Sequence, residues 1–453
     1  VSIGGNAGHA LDTGTDNTLL GNNAGTNVKD AVGATIIGGY AGRYATGSYN
    51  TFIGYNAGDG ATTSAPFSSG QNNTAIGDRA MRVFTTGHSN AIVGNQAGYN
   101  ISSGHENTIM GYQAAYNLTI ADNNTIIGYQ TGYNLTTSRY NVLIGDKAGY
   151  NLQESSANNE NVMIGFNAGY AGDYTWPQST DNVYIGSSAG RELDDGHSNV
   201  IIGKEAGKSN AAGGNTTQYD VFIGMEAGYS TTDTIRSVVI GYKAGYTMTI
   251  GSNSVIIGDQ AGYDLTTTTK TVLIGRAAGA DINSTDANGT IAIGYNTGRS
   301  ITSGQKNTII GYNAGDAMTT SDSNTIIGYE AGTSVITSGE QGSTLIGKEA
   351  GKALTSGPYN TAIGRAALKT ATTTNSCIAI GDSAMQYTPA STAIIGVIGI
   401  GGSVLGDGVS VSSIIQVRDR FTEAQIPKYA AEQGYSETLE KTLRKMDNFN
   451  SKK

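Results

Sequence analysis

One cysteine, five prolines and one tryptophan among 453 residues close off several protein classes at once. Cys377 has no partner, so an intrachain disulfide framework is excluded and the redox compartment stays open. Proline is scarce and no Gly-X-Y triplet accompanies the 66 glycines, which excludes a collagen or a proline-rich linker. Charged residues make up 14% of the chain and the net charge is −9, a poor match for tracking phosphates or for adhering to an anionic membrane. The longest apolar run, Ala393 to Leu405, is too short and too glycine-broken for a membrane helix. The four histidines are scattered, without the spacing of a zinc site or a triad. His105 beside Glu106, and His197 near Asp194 and Asp195, read as solvated turn groups, so no catalytic residue is expected. The Asp- and Asn-rich turns lack an EF-hand or calcium-solenoid pattern, so neither a metal nor a cofactor is expected. The chain opens at Val1 in mid-repeat, without an initiator Met or signal peptide, and reads as a processed or partial product.

What is present in abundance is one motif, seen as Asn307-Thr308-Ile309-Ile310-Gly311-Tyr312-Asn313-Ala314-Gly315. Numbered from its central glycine as zero, it recurs from Gly4 to Gly381 in 22 copies, and 14 of the 21 intervals are 17 residues long. A fixed period implies stacked identical units. The reading is an all-β parallel β-solenoid or β-roll of about 22 coils. Positions −3 to −1 form a short β-branched strand. Position −1 is Ile in 19 copies, including Ile37, Ile127, Ile202, Ile257, Ile310 and Ile327, which are expected to form the structural core. Position −2 points the other way and is also mostly apolar, so a second copy of the chain is expected to cover it. Position +3 is Ala in 20 copies and +4 is Gly in 18; this implies a tight corner with positive φ at the glycine. Tyr recurs at +5 and Leu or Ile at +7, suggesting a second strand over +5 to +9.

The segments Thr361-Ala362-Ile363-Gly364-Arg365-Ala366-Ala367 and Ile378-Ala379-Ile380-Gly381-Asp382-Ser383-Ala384 resemble the head repeats of trimeric autotransporter adhesins, and they are similar to repeats in bacteriophage tail fibres. The resemblance covers about Val1 to Ile395. It implies a homotrimer of left-handed parallel β-rolls packed round a threefold axis. The 17-residue period is longer than the coil usual in those adhesin heads, and no heptad stalk or membrane barrel follows, which favours a virion or other extracellular fibre.

Function is therefore expected where the motif is interrupted. Long intervals place extra residues at one corner between +7 and the next −4, and three of these insertions carry the aromatics Phe67, Tyr174, Trp176 and Tyr219, platforms for sugar rings or a protein partner. Asn117-Leu118-Thr119 and Asn134-Leu135-Thr136 fit the glycosylation pattern but arise readily in an Asn/Thr-rich chain. Three regions are expected: a solenoid over 1–395, a capping or transition segment over 396–416, and a charged, partly helical docking tail over 417–453 in which Leu439, Leu443 and Met446 share a face. The functional expectation is a structural fibre that recognises a host surface, as a phage tail-fibre or virion-fibre segment. Its partners would be itself as a homotrimer, a host-surface glycan or protein, and other virion or filament subunits through the tail, without nucleic acid or membrane insertion. A bacterial surface adhesin or extracellular filament subunit is the alternative, and a fibre-borne glycan depolymerase a third.

Overall fold

A computed structural model describes residues 1–402 other than 62–66, 153–158, 172–178, 194–195, 210–215, 268, 284–286, 336–338, 341 and 388–395. It is an all-β parallel β-solenoid of about 21 turns with a period of about 17 residues, and no α-helix occurs among the described residues. The tail over 417–453, with Leu439, Leu443 and Met446, lies outside them.

The chain divides into two units, Val1–Thr271 and Val272–Lys453. In the first, three-residue strands stack in parallel, each residue opposite its counterpart in the next coil: Thr108↔Thr125, Ile109↔Ile126, Met110↔Ile127. The longer intervals leave this register untouched, since Val142–Ile144 pairs with Val162–Ile164 position for position. The pairing of these strands is thus independent of the interval length. The second unit repeats the arrangement from Val272–Ile274 onwards, with Ile309↔Ile326 as a typical rung. Its ladder continues through Ile398–Ile400, which pairs with Ile378–Ile380, so the segment expected to begin capping at 396 opens with a further rung.

The interior lies on the opposite strand face from the one expected. Position −2 is fully buried, as in Ile36, Phe52, Ile126, Tyr184 and Ile309, whereas Ile37, Ile127, Ile202, Ile257, Ile310 and Ile327 at −1 are half-buried on the outside. The reason is strand alternation: position −4, usually Asn, shares the −2 face, and its amide is held inside. Position +3 and the aliphatic at +7, such as Leu118, Leu135 and Ile301, complete the core.

Those −4 residues form an internal amide ladder. Asn107 Oδ1 accepts from both the backbone N–H and the Nδ2 of Asn124, each at 3.0 Å. Asn107 Nδ2 in turn donates to Asn90 Oδ1 at 3.0 Å and to the Ala121 carbonyl at 2.7 Å. Asn107 is thus satisfied by the coils on either side, as burial of a polar group requires.

The corner has the positive φ expected at +4, for example 57° at Gly315. Position 0 is equally constrained. Gly111 has φ 138°, and a Cβ there would sit 2.1 Å from the Gly128 carbonyl oxygen, so only glycine lets consecutive coils approach. Position +2 is left-handed too, although it is rarely glycine, as at Gln113 and Asn313. The expected second strand is displaced: +5 to +9 is mostly turn and bend. The first unit instead pairs Thr216–Gln218, Asp233–Ile235 and Ile250–Ser252 in parallel further along the coil.

Candidate functional site

Phe67 and Tyr219, the two insertion aromatics among the described residues, have different surroundings. Phe67 folds back, stacked on Tyr44 at 6.0 Å. Tyr44 also carries the Arg43 guanidinium 4.5 Å over its ring, and Arg43 holds the buried Asp59 through two hydrogen bonds of 3.0 Å. Burial pushes the Asp59 carboxyl above its ordinary range while Arg43 pulls it down. Phe67 is thus part of a cation–aromatic cluster with Tyr44 and Arg43. Tyr219 is 51% exposed, with its ring edge-on to His197 at 5.1 Å and Arg236 over it at 5.6 Å. Of these aromatics, Tyr174 and Trp176 lie outside the described residues.

A more continuous feature is the ladder at +5. Tyr99, Tyr116, Tyr133, Tyr150 and Tyr170 stack in succession with centroids 4.8, 5.2, 5.2 and 5.6 Å apart. The column is flanked by cations from the same position of the adjoining coils, Arg82 over Tyr99 and Arg191 over Tyr170, each at 5.6 Å. A second column, Tyr229, Tyr246 and Tyr263, starts against Lys208 at 4.9 Å. The rings use their faces on one another and on these cations, so what the column offers to solvent is mainly edges and hydroxyls.

Next to the long column runs an open groove of about 550 Å³, lined by Asn100 and Ser102, Asn117 and Thr119, Asn134 and Thr136, together with Val83. These are the +6 and +8 positions of consecutive coils, and the +7 side chain between them is buried. That alternation produces the Asn-x-Ser/Thr pattern seen in the sequence. Asn100 Nδ2 donates to Asn117 Oδ1 at 3.2 Å, and Asn117 Nδ2 to Asn134 Oδ1 at 2.9 Å. The Ser102 and Thr119 hydroxyls donate to the carbonyls of Thr119 and Thr136, at 3.1 and 3.0 Å.

The third surface is the outer strand face. The aliphatics at −1 recur from coil to coil, with Leu20, Ile76, Met110 and Ile363 among the more exposed, and +1 adds Tyr55, Tyr112, Phe166, Tyr312 and Tyr329, each 46–52% exposed. Tyr295, Tyr312 and Tyr329 stack at 5.0 and 5.4 Å. Among the described residues no group of three or more His, Cys, Asp or Glu side chains converges as a metal site would require.

No protein-family model matches the chain, nor does any curated protein.

Proposed function

We propose that this chain is a structural and recognition protein: a fibre segment, of the phage tail-fibre or virion-fibre kind, in which three copies pack along their outer strand faces and hold recognition surfaces outward. The observation that carries this reading is the outer face itself. A solvated face of a solenoid has no need of Ile in nearly every coil, since Thr, Lys or Glu would serve there and would keep the strand soluble. Here −1 is almost uniformly aliphatic, and aromatic rings line +1. A stripe of this kind marks an association surface, and identical repeats favour a second and third copy of the same chain as its cover.

Sedimentation equilibrium of the full chain tests this. The expected mass is three times the 46.6 kDa of one chain; a monomer at micromolar concentration overturns the proposal. Adsorption of the purified protein to candidate host cells tests the recognition half separately.

A further inference from the structure

We infer that the groove along the first unit is a binding site for a neutral, hydroxyl-rich linear glycan lying lengthwise across successive coils. The inference rests on the recognition reading and gives it a location and a ligand class.

The chemistry of the lining carries the argument. None of the lining side chains is ionisable, so the groove has nothing to repay the desolvation of a charged ligand. Its polar groups are partly committed, and in a fixed sense. In the run Asn100–Asn117–Asn134, Asn117 gives one N–H and one oxygen lone pair to the ladder, and Asn134 does the same, its N–H going to Asn151 Oδ1 at 2.6 Å. An amide has two N–H groups and two lone pairs, so Asn117, bonded on both sides, retains one donor and one acceptor. The hydroxyls of Ser102 and Thr119 have turned their hydrogens to the backbone, which leaves their oxygens as acceptors. The groove therefore repeats a donor-plus-acceptor set once per coil.

A sugar hydroxyl both donates and accepts, and a linear glycan repeats such groups along its length, which suits a surface whose own repeat is the coil spacing of about 4.8 Å. The side chains are already oriented by their mutual hydrogen bonds, so little rotamer freedom is lost on binding. A peptide strand is less suited. It needs an exposed backbone edge or side-chain pockets, whereas the coil backbone here is already paired, as in Asn117 N–H to the Tyr133 carbonyl at 3.0 Å.

The test uses the full chain with cellohexaose, maltohexaose and chitohexaose as neutral probes and a hyaluronan hexasaccharide as the charged one, read by saturation-transfer NMR and calorimetry. At least one neutral hexasaccharide is expected to bind, at least tenfold tighter than the charged one. Thr119→Trp, which fills the groove, is expected to abolish binding, and Thr119→Val to weaken it about threefold to tenfold, with both thermal midpoints near the parent value. Absence of binding by all three neutral probes at millimolar concentration overturns the inference, as does binding unchanged by Thr119→Trp in a protein shown to be folded. If Thr119→Trp abolishes glycan binding yet adsorption to host cells is unchanged, the glycan site stands and its role in recognition is overturned. Loss of cell adsorption by the parent chain would count against the recognition reading alone.

Discussion

Ala75 and Met81 occupy positions −2 and +4 of one coil, both fully buried, and they divide a fixed interior volume between them. In the next coil the division is reversed, with Ile92 at −2 and Gly98 at +4, and a Cβ on Gly98 would come within 3.0 Å of Ile92 Cδ1. Ala362 with Leu368 and Ala379 with Met385 repeat the first arrangement, all fully buried. A left-handed +4 side chain larger than a methyl group is thus found only where −2 is Ala; where −2 is Ile109, +4 is Ala115.

That exchange predicts strong coupling. Ala75→Ile alone overpacks the coil and is expected to cost about 1–3 kcal/mol, and Met81→Gly alone leaves a cavity costing about 2–5 kcal/mol, partly offset by relief of the left-handed backbone. The double variant reproduces the neighbouring coil and is expected to be more stable than the sum of the singles by about 0.5–3 kcal/mol. A double-mutant cycle by urea denaturation measures it, and strict additivity would remove the exchange.

Two adjacent isoleucines should behave in opposite ways. Ile309→Asp places an unpaired carboxylate in the interior, where Ile309 has no exposure, and is expected to disrupt the second unit outright. Ile310→Asp faces outward and is expected to cost the isolated coil stack only about 1 kcal/mol, while breaking association of copies. Circular dichroism and sedimentation together separate the two effects. Equal unfolding by both substitutions would contradict the assigned faces.

Asp220 stands in the amide ladder where most first-unit coils have Asn. Its Oδ1 accepts from the Ser237 N–H at 2.6 Å and its Oδ2 from the Thr234 hydroxyl at 2.8 Å. Burial nevertheless pushes its pKa from 3.8 up to about 6. The sign follows from linkage: below about pH 4 folded and unfolded states are both protonated, and between about 4 and 6 the unfolded chain ionises first. Stability therefore falls as pH rises through that window, by about 3 kcal/mol in total, and stays lower above it. Asp220→Asn removes the titration and restores an amide, so it is expected to stabilise the first unit at pH 7 and to make little difference below pH 4. Denaturation midpoints of both proteins across this range test the prediction, which fails if their difference does not vary with pH.

Tyr133 contacts a ring on each side at 5.2 Å. Replacing it by Ala interrupts the column, and two stacking contacts at about 0.5–1.5 kcal/mol each give an expected loss of about 1–3 kcal/mol beyond the lost burial. Near-ultraviolet circular dichroism should lose intensity by more than one tyrosine's share, because its neighbours lose a coupled partner as well. A change limited to a single ring would argue against the continuous column.

The repeat, its strand and its corner were legible because period, β-branching and small residues each have one cheap structural solution. Which strand face points inward was not. Uniformity suggested the core, yet the uniform position is −1, on the outside, while interior −2 varies from Ala75 to Tyr184. The physical reason is that interior volume is shared with +4 and +7, so single positions can vary while their sum is kept. The signal that marks the inner face is Asn at −4, two residues before −2, whose amide ladder only becomes apparent when coils are stacked. The +6 and +8 groove was hidden for a related reason: its Asn-x-Thr spacing matches a modification pattern that arises from alternation about a buried +7. The insertion aromatics stood out by their place in the longer intervals, a property that carries no information about where a ring comes to rest.

The in-register ladder across intervals of different length also bears on how such a chain can change over generations. Since each rung is bonded to its neighbours through backbone groups that every rung supplies, and through an amide that most coils supply, in the same places, removal of one whole period, such as residues 112–128, would join surfaces that already fit. A slip of any other length would set strand against turn. Repeat number is therefore free to drift by recombination between copies, while the spacing within a copy is held fixed by sterics at a glycine such as Gly111.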